Sequence, residues 1–394
     1  MVIRNVQIAG KQGSWNILID KDRILSTIPY EEKNYTTDNT ILFERAIAFP
    51  GLINSHEHID FNLFPPLGKA PYANYRVWGN DIHKNNKAAI DAVLKIPLSL
   101  RVQWGIYKNL LSGVTTVVNH GQALEISNDL ITIYQDSYSL HSAGFEKNWR
   151  WKLNSKIKKG HSVAMHMGEG IDSISYNEIN SIIRWNLFKR KIVGIHGVAM
   201  KEEQARHFHG LVWCPVSNYF LLNKTASIDK LKHKTDIVFG TDSTLTADWN
   251  IWEHLRVARM TKMMSDDELF FSITSTAARV WNLQRKATLE ENEPANIVVA
   301  ETKKDLEGWD AFYSTDPENI LLVIHNGKIR LFDDRLKDQL LNNEFDITGF
   351  SKITVAENIK YVYGDLPYLI KNIRGFYPEV FFPVSITEIS EIIS

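Results

Sequence analysis

Phe49-Pro50-Gly51-Leu52-Ile53-Asn54-Ser55-His56-Glu57-His58-Ile59-Asp60 is the stretch on which the fold turns. Pro50-Gly51 punctuates the chain. Leu52–Asn54 reads as a short apolar strand, and His56 and His58 follow at its C-terminal end. Residues two apart on a strand point to the same side. Both imidazoles therefore aim at one point, while Glu57 faces away.

Upstream, residues 1–48 read as short strands and turns, a small β unit. Downstream, short apolar strands alternate with helical stretches. The strands are expected at Val114–Val118, Leu130–Tyr134, Tyr138–His141, Ser162–His166, Lys191–Ile195, Leu211–Cys214 and Asp236–Phe239. Helices are expected at Ala88–Ser112, Lys147–Lys158, Tyr176–Lys189, Lys201–Phe208, Trp249–Met263 and Asp266–Val280, after a long irregular segment that reaches about Asn80. This alternation predicts an α/β fold with parallel β/α units. After Asn282 the β grammar returns, and Ile320–His325 faces Lys328–Leu331 across Asn326-Gly327, a hairpin signal.

The candidate ligands share one position. His56 and His58 follow the first strand, His166 closes Ser162–His166, His196 closes Lys191–Ile195, and Asp242 follows Asp236–Phe239. In parallel barrels the βα loops converge at the C-terminal ends of the strands, and sites form there. Three imidazoles (His56, His58, His166) and the Asp242 carboxylate suit one divalent ion, zinc first, with iron or manganese as alternatives. Such an ion activates water at neutral pH. Glu169, three residues past His166, is placed to carry a proton without ligating the ion. Taken singly, a His-x-His, a His-x-x-Glu or an Asp before Ser243 is weak; their common place at successive strand ends is what carries weight.

Composition bounds the rest. The 394 residues carry 45 basic and 46 acidic side chains, a formal charge of -1. That balance gives no electrostatic case for nucleic acid or an anionic membrane as partner. A single cysteine, Cys214, excludes an intrachain disulfide and fits a reducing, cytoplasmic location. No apolar run has the length of a transmembrane helix, and the N-terminus lacks a signal-peptide core. Partners are expected to be small-molecule substrates, and a homodimer is kept open.

These residues are similar to a known family. The stretches 49–58 (FPGLINSHEH), 113–119 (GVTTVVN), 165–169 (MHMGE), 195–198 (IHGV), 214–221 (CPVSNYFL), 240–243 (GTDS) and 274–281 (TSTAARVW) resemble the amidohydrolase superfamily, in its cytosine deaminase-like and chlorohydrolase-like branch. The resemblance covers about residues 1–332. It implies a distorted (β/α)₈ TIM barrel over 51–282, with a small β-sandwich built from 1–50 plus 283–332. Residues 333–394 would be an extension without a counterpart. It further implies His56, His58, His166 and Asp242 as metal ligands, His196 beside the metal polarising the group under attack, Asp242 holding the attacking water, and Glu169 shuttling protons.

Three departures qualify the match. No lysine or carboxylate ends Tyr138–His141, where two-metal members carry a bridging ligand, so one metal is favoured. Only about 40 residues separate His120 from His161, so the third and fourth β/α units must be trimmed. In the weaker tail motif 287–299 (ATLEENEPANIVV), which resembles the stretch that returns the chain to the β-sandwich, Asn292 and Asn296 stand where the family usually has glycine and aspartate.

The activity expected on these grounds is metal-dependent C–N cleavage, with activated water attacking an sp² carbon of a small, cyclic, nitrogen-containing substrate. An amide or other carbon–heteroatom hydrolase would keep the same site, and an inactive scaffold is the reading of another class. Aromatic residues at 61, 64, 72, 75, 78, 149, 151, 219 and 249 suit a flat ring; Arg150 and His120 are candidate anchors for a polar substrate group, and Asn62–Asn80 a candidate lid.

Overall fold

The computed structural model describes residues 1–31 and 39–386. The chain forms two compact units, one of residues 1–51, 106–115 and 287–394, the other of 52–105 and 116–286. Among the described residues no helix is long and apolar enough to cross a membrane.

The first unit gathers both chain ends into one hydrogen-bonded sheet of eleven strands. Ala46–Pro50 pairs antiparallel with Ile297–Glu301, which continues through Ile320–His325 to Lys328–Asp333. Asn326 and Gly327, both at positive φ, make the tight turn between the last two. Among the described residues these strands are joined by hydrogen bonding into one sheet. Phe350–Val355, Asn358–Tyr363 and Val384–Ser385 extend the same sheet from the segment that the sequence left unplaced. Alternation explains the extension: Ile353, Val355 and Val362 are buried. Ile3, Val6, Ile297, Phe332 and Tyr361 share one core from both ends of the chain.

The second unit carries β1 (Leu52–Glu57), β2 (Val114–Asn119, from Thr116 on), β3 (Thr132–Tyr134), β4 (Tyr138–Ser142), β5 (Val163–Met167), β6 (Ile192–His196), β7 (Gly210–Trp213) and β8 (Asp236–Phe239). β1, β2 and β3 form one sheet, and β4 to β8 form a second in sequence order, parallel throughout. Nearly every residue of β1, β2, β5, β6, β7 and β8 is buried, as expected for parallel strands covered on both faces. β8 meets β1 just past its end, where Asp242 N–H donates to the His56 carbonyl at 3.1 Å. Gly240 permits this approach, since a Cβ there would lie 2.8 Å from that of His56.

The trimmed region has a simple form. β3 and β4 follow one another with only residues 135–137 between them and no helix. Asn128 Oδ1 accepts from the Leu130 and Ile131 amides, and the Gln135 side chain bonds both the N–H and the carbonyl of Leu124. Side chains thus satisfy the backbone that a helix would otherwise pair internally.

Several helix expectations need correction. The stretch Ala88–Ser112 is two helices, α2 (Lys87–Leu94) and Leu98–Leu111, separated at Pro97, which has no N–H to continue the first. Lys147–Lys158 is helical only over Trp149–Leu153. The segment read as irregular to Asn80 becomes helical at Tyr75, as α1 (Tyr75–Asn85). Its start is set by Asn74, whose side chain accepts from the amides of Arg76 and Val77, an N-cap that composition alone concealed.

Candidate active site

β1 runs to Glu57, so His56 lies within the strand and His58 just beyond it. Their rings meet edge to face at 5.1 Å. Glu57 points elsewhere and accepts from Asn54 Nδ2 at 2.6 Å. His166 sits on β5 and brings its Nε2 to 3.2 Å from His56 Nε2. Asp242 Oδ1 stands 3.7 Å from His56 Nε2 and 4.0 Å from His58 Nε2. Two overlapping groups, His56–His58–His166 and His56–His196–Asp242, hold their ligand atoms within 4.8 Å of one another.

The surroundings aim these atoms. His166 Nδ1 donates to the His141 carbonyl at 2.8 Å. Its one proton is thereby placed, and the Nε2 lone pair faces the centre. Asp242 Oδ2 is held by the hydroxyls of Ser217 and Thr246 at 2.9 and 3.0 Å, which leaves Oδ1 turned towards the histidines. His196 and Asp242 both adopt positive φ, +70° and +60°. Left-handed backbone is uncommon outside glycine and gathers at functional sites.

Electrostatics act in the same direction. Burial holds His56 and His166 well below the usual imidazole range, with neighbouring histidines adding to the shift. Burial also pulls His196 down to about 4, against the opposing pull of Asp242. Neutral imidazoles offer lone pairs, which is the state that a metal requires. Burial, with Asp242 and Glu178 nearby, pushes the Glu169 carboxyl well above its ordinary value. Glu169 Oε1 lies 3.5 Å from His196 Nε2.

The donor set fits a divalent ion. Two imidazoles sharing a tetrahedral zinc at about 2.0 Å have nitrogens about 3.3 Å apart, and His56 and His166 stand at 3.2 Å. The Nδ1 of His56 is buried with no hydrogen-bond partner, so no protein group competes to turn the ring away.

The structure brings all six sequence-derived residues together: His56, His58, His166, Glu169, His196 and Asp242. It adds two histidines to the cluster. His120 follows β2 with its ring 4.5 Å from that of His166, and His141 on β4 lies 5.2 Å from the same ring. Burial is the main cause that lowers both, His141 to about 4 and His120 well below the usual imidazole range. Each obeys the strand-end rule that located the others, a signal that His141 carried unread in the sequence. His120 is packed behind the site, bonded to Ser139 Oγ at 3.2 Å, and is absent from the cavity lining.

Above the histidines lies a cavity of about 560 Å³. His58, His166, Glu169, His196 and Asp242 line its polar end; Phe61, Phe64, Tyr75, Trp78, Ile82, Ile90, Leu94 and Phe145 line its apolar wall. Trp78 is fixed by its indole N–H on the Leu67 carbonyl at 2.9 Å. Other expected aromatics serve elsewhere: Trp151 is exposed and Tyr72 bonds Asp81. Arg150 stacks over Trp149 and Trp185, which accounts for its cation without a substrate.

Comparison with known proteins places this arrangement. Residues 146–330 match the model of the amidohydrolase family. A 5-methylthioadenosine/S-adenosylhomocysteine deaminase of Caldicellulosiruptor saccharolyticus is 22% identical over 368 residues, covering 78% of this chain and 85% of that protein. The zinc-bound adenosine deaminase of Xanthomonas campestris superposes with a TM-score of 0.72 at 14% identity, over 95% of this chain and 97% of the other. The zinc complex of atrazine chlorohydrolase from Arthrobacter aurescens superposes with a TM-score of 0.67 at 14% identity, over 95% and 99%. The chain shares the fold of these structures.

Proposed function

We propose that this chain, whose residues 146–330 form an amidohydrolase family domain, is a metal-dependent hydrolase that deaminates an aminated, planar heterocycle of the purine nucleoside class. One observation carries the proposal. Three imidazoles and a carboxylate converge at the polar end of an apolar cavity, beside a second carboxyl paired with a fourth imidazole.

His56, His58, His166 and Asp242 would hold one divalent ion, zinc before iron or manganese. When bound, the ion supplies Lewis acidity and makes water a competent nucleophile at neutral pH. The chain supplies the rest. Asp242 Oδ1, with its partner oxygen fixed by Ser217 and Thr246, accepts a proton from the attacking water. The water oxygen bonds to the amino-bearing sp² carbon. Glu169, whose carboxyl burial pushes well above its ordinary value, gives its proton to the departing nitrogen. His196 donates from Nε2 to the atom where negative charge collects. The C–N bond then breaks and ammonia leaves; the proton still on the added oxygen moves to the adjacent ring nitrogen, giving a ring carbonyl, and the proton on Asp242 returns to Glu169.

The apolar wall supports the substrate class. Phe61, Phe64 and Trp78 offer faces for a flat ring, and Ile82, Ile90 and Leu94 offer an apolar site for a substituent on it. A thioether-bearing nucleoside has both features, as does the substrate named for the Caldicellulosiruptor relative.

Ammonia release from adenosine, 5-methylthioadenosine and S-adenosylhomocysteine tests the proposal, with Glu169→Gln as the inactive control. Release that requires Glu169 is the expected result. Hydrolysis of an amide without free ammonia would transfer the same residues to amide cleavage and overturn the deaminase assignment.

A further inference from the structure

His196 is joined on its inner side to a chain of three buried groups. Asn218 Nδ2 lies 2.9 Å from His196 Nδ1, Thr225 Oγ1 lies 3.2 Å from Asn218 Oδ1, and Trp213 Nε1 lies 2.7 Å from Thr225 Oγ1. Trp213 and Asn218 are fully buried, and Thr225 nearly so.

The hydrogen bonds of this chain run from its last member, Trp213 to Thr225 and Thr225 to Asn218 Oδ1. An indole N–H can only donate. Thr225 Oγ1 therefore accepts from Trp213, and its own proton passes on to Asn218 Oδ1. With the carbonyl end of the amide so engaged, the NH₂ end faces His196 and donates to Nδ1. A neutral imidazole whose Nδ1 accepts must carry its proton on Nε2. That nitrogen is the one turned to Glu169 Oε1 at 3.5 Å.

We propose that Trp213, Thr225 and Asn218 are positioning residues that fix the tautomer of His196, making its Nε2 a proton donor to the reacting group and keeping it out of the metal's coordination sphere.

Proximity alone leaves this undecided, since His196 Nε2 falls in a group with His56 and Asp242 that could hold an ion. Hydrogen-bond direction separates the roles. His166 spends its proton on Nδ1, against the His141 carbonyl, and presents a lone pair. His196 receives a proton bond on Nδ1 and presents N–H. Two rings stacked at 5.3 Å thus offer opposite chemistry to the same space. The sources of the relay are local in sequence: Trp213 ends β7, Asn218 lies on the following helix Pro215–Leu222, and Thr225 follows that helix.

The kinetic arm of the test rests on the deaminase proposal; the spectroscopic arm does not. Long-range ¹H–¹⁵N correlation of the full-length, metal-free, [¹⁵N]histidine-labelled protein reads each imidazole tautomer, and His196→Gln identifies the signal by its loss. His196 is expected as the Nε2–H form. In Asn218→Asp the carboxylate can only accept, so the proton is expected to move to Nδ1. With 5-methylthioadenosine as substrate, kcat is expected to fall on the order of 10²–10³-fold with KM and metal content retained. Thr225→Val is expected to lose part of kcat and Thr225→Ser to restore it, a pair that carries the test if Asn218→Asp does not fold. A wild-type His196 protonated on Nδ1 would overturn the proposal without any variant. So would an unchanged tautomer in Asn218→Asp, or equal kcat in Thr225→Val and Thr225→Ser.

Discussion

His56 and His166 face each other through their Nε2 atoms at 3.2 Å, and His166 has no proton to give, because its Nδ1–H is committed to the His141 carbonyl. An ion between them would use both lone pairs. Protein purified without chelator is therefore expected to hold about one equivalent of a divalent transition metal by elemental analysis. His56→Ala and Asp242→Ala are each expected to lose it. Two equivalents in the wild type would point to a bridging ligand outside this set and overturn the mononuclear assignment.

Glu169→Gln is expected to abolish turnover and yet stabilise the metal-free protein. Burial raises the Glu169 pKa in the folded state, whereas the unfolded chain titrates near about 4.3. Between those values the folded state holds more protons than the unfolded one, so stability declines as pH rises through the window. Glutamine removes that dependence. Thermal unfolding with chelator present should show a higher Tm for the variant at pH 7, with the margin closing towards pH 4. A margin equal at both pH values would contradict the account.

Asn74→Ala removes the cap of α1 and the bond from Asn74 Nδ2 to Asp172 at 2.6 Å. The expected cost is about 1 kcal/mol of stability. Because Tyr75, Trp78 and Ile82 of this helix line the cavity, KM for 5-methylthioadenosine, a proposed substrate, should rise more than kcat falls. Denaturant unfolding beside steady-state kinetics checks both. A fall in kcat alone would place the cap's effect on the reacting groups instead.

Lys360 is fully buried and donates to the carbonyls of Glu318 and Ile320 and to Asp333 Oδ2 at 3.0 Å. Arg335 also binds Asp333. Lys360→Ala strips one partner from a buried carboxylate and two carbonyls, a loss of about 3 kcal/mol. Lys360→Met should cost less, since it refills the volume. Equal Tm values for the two variants would show that the lost charge and hydrogen bonds, and not packing, set the cost.

The strand-end residues were legible in the sequence because the signal is local: His56 and His58 alternate within one strand, and His166, His196 and Asp242 each follow a β-branched or apolar run. The helix at Tyr75 was not legible, since a single side chain, Asn74, starts it amid Pro, Gly and aromatic residues. The joined run of β3 and β4 was legible only as missing length. What replaces the absent helices is a set of side-chain bonds from Asn128 and Gln135, and no periodicity announces those. The relay behind His196 was hidden for another reason. Trp213, Asn218 and Thr225 look like ordinary core and loop residues until their atoms are in contact.

Part of the cavity wall has an origin separate from that of its polar end. Trp78, Ile82, Ile90 and Leu94 all come from α1 and α2, inserted between β1 and β2, while the proton-handling residues come from β5 onward. One side of the cavity and the residues proposed to handle protons thus lie on separate stretches of chain. Substitutions along α1 and α2 would reshape that side of the cavity without touching Glu169, His196 or Asp242.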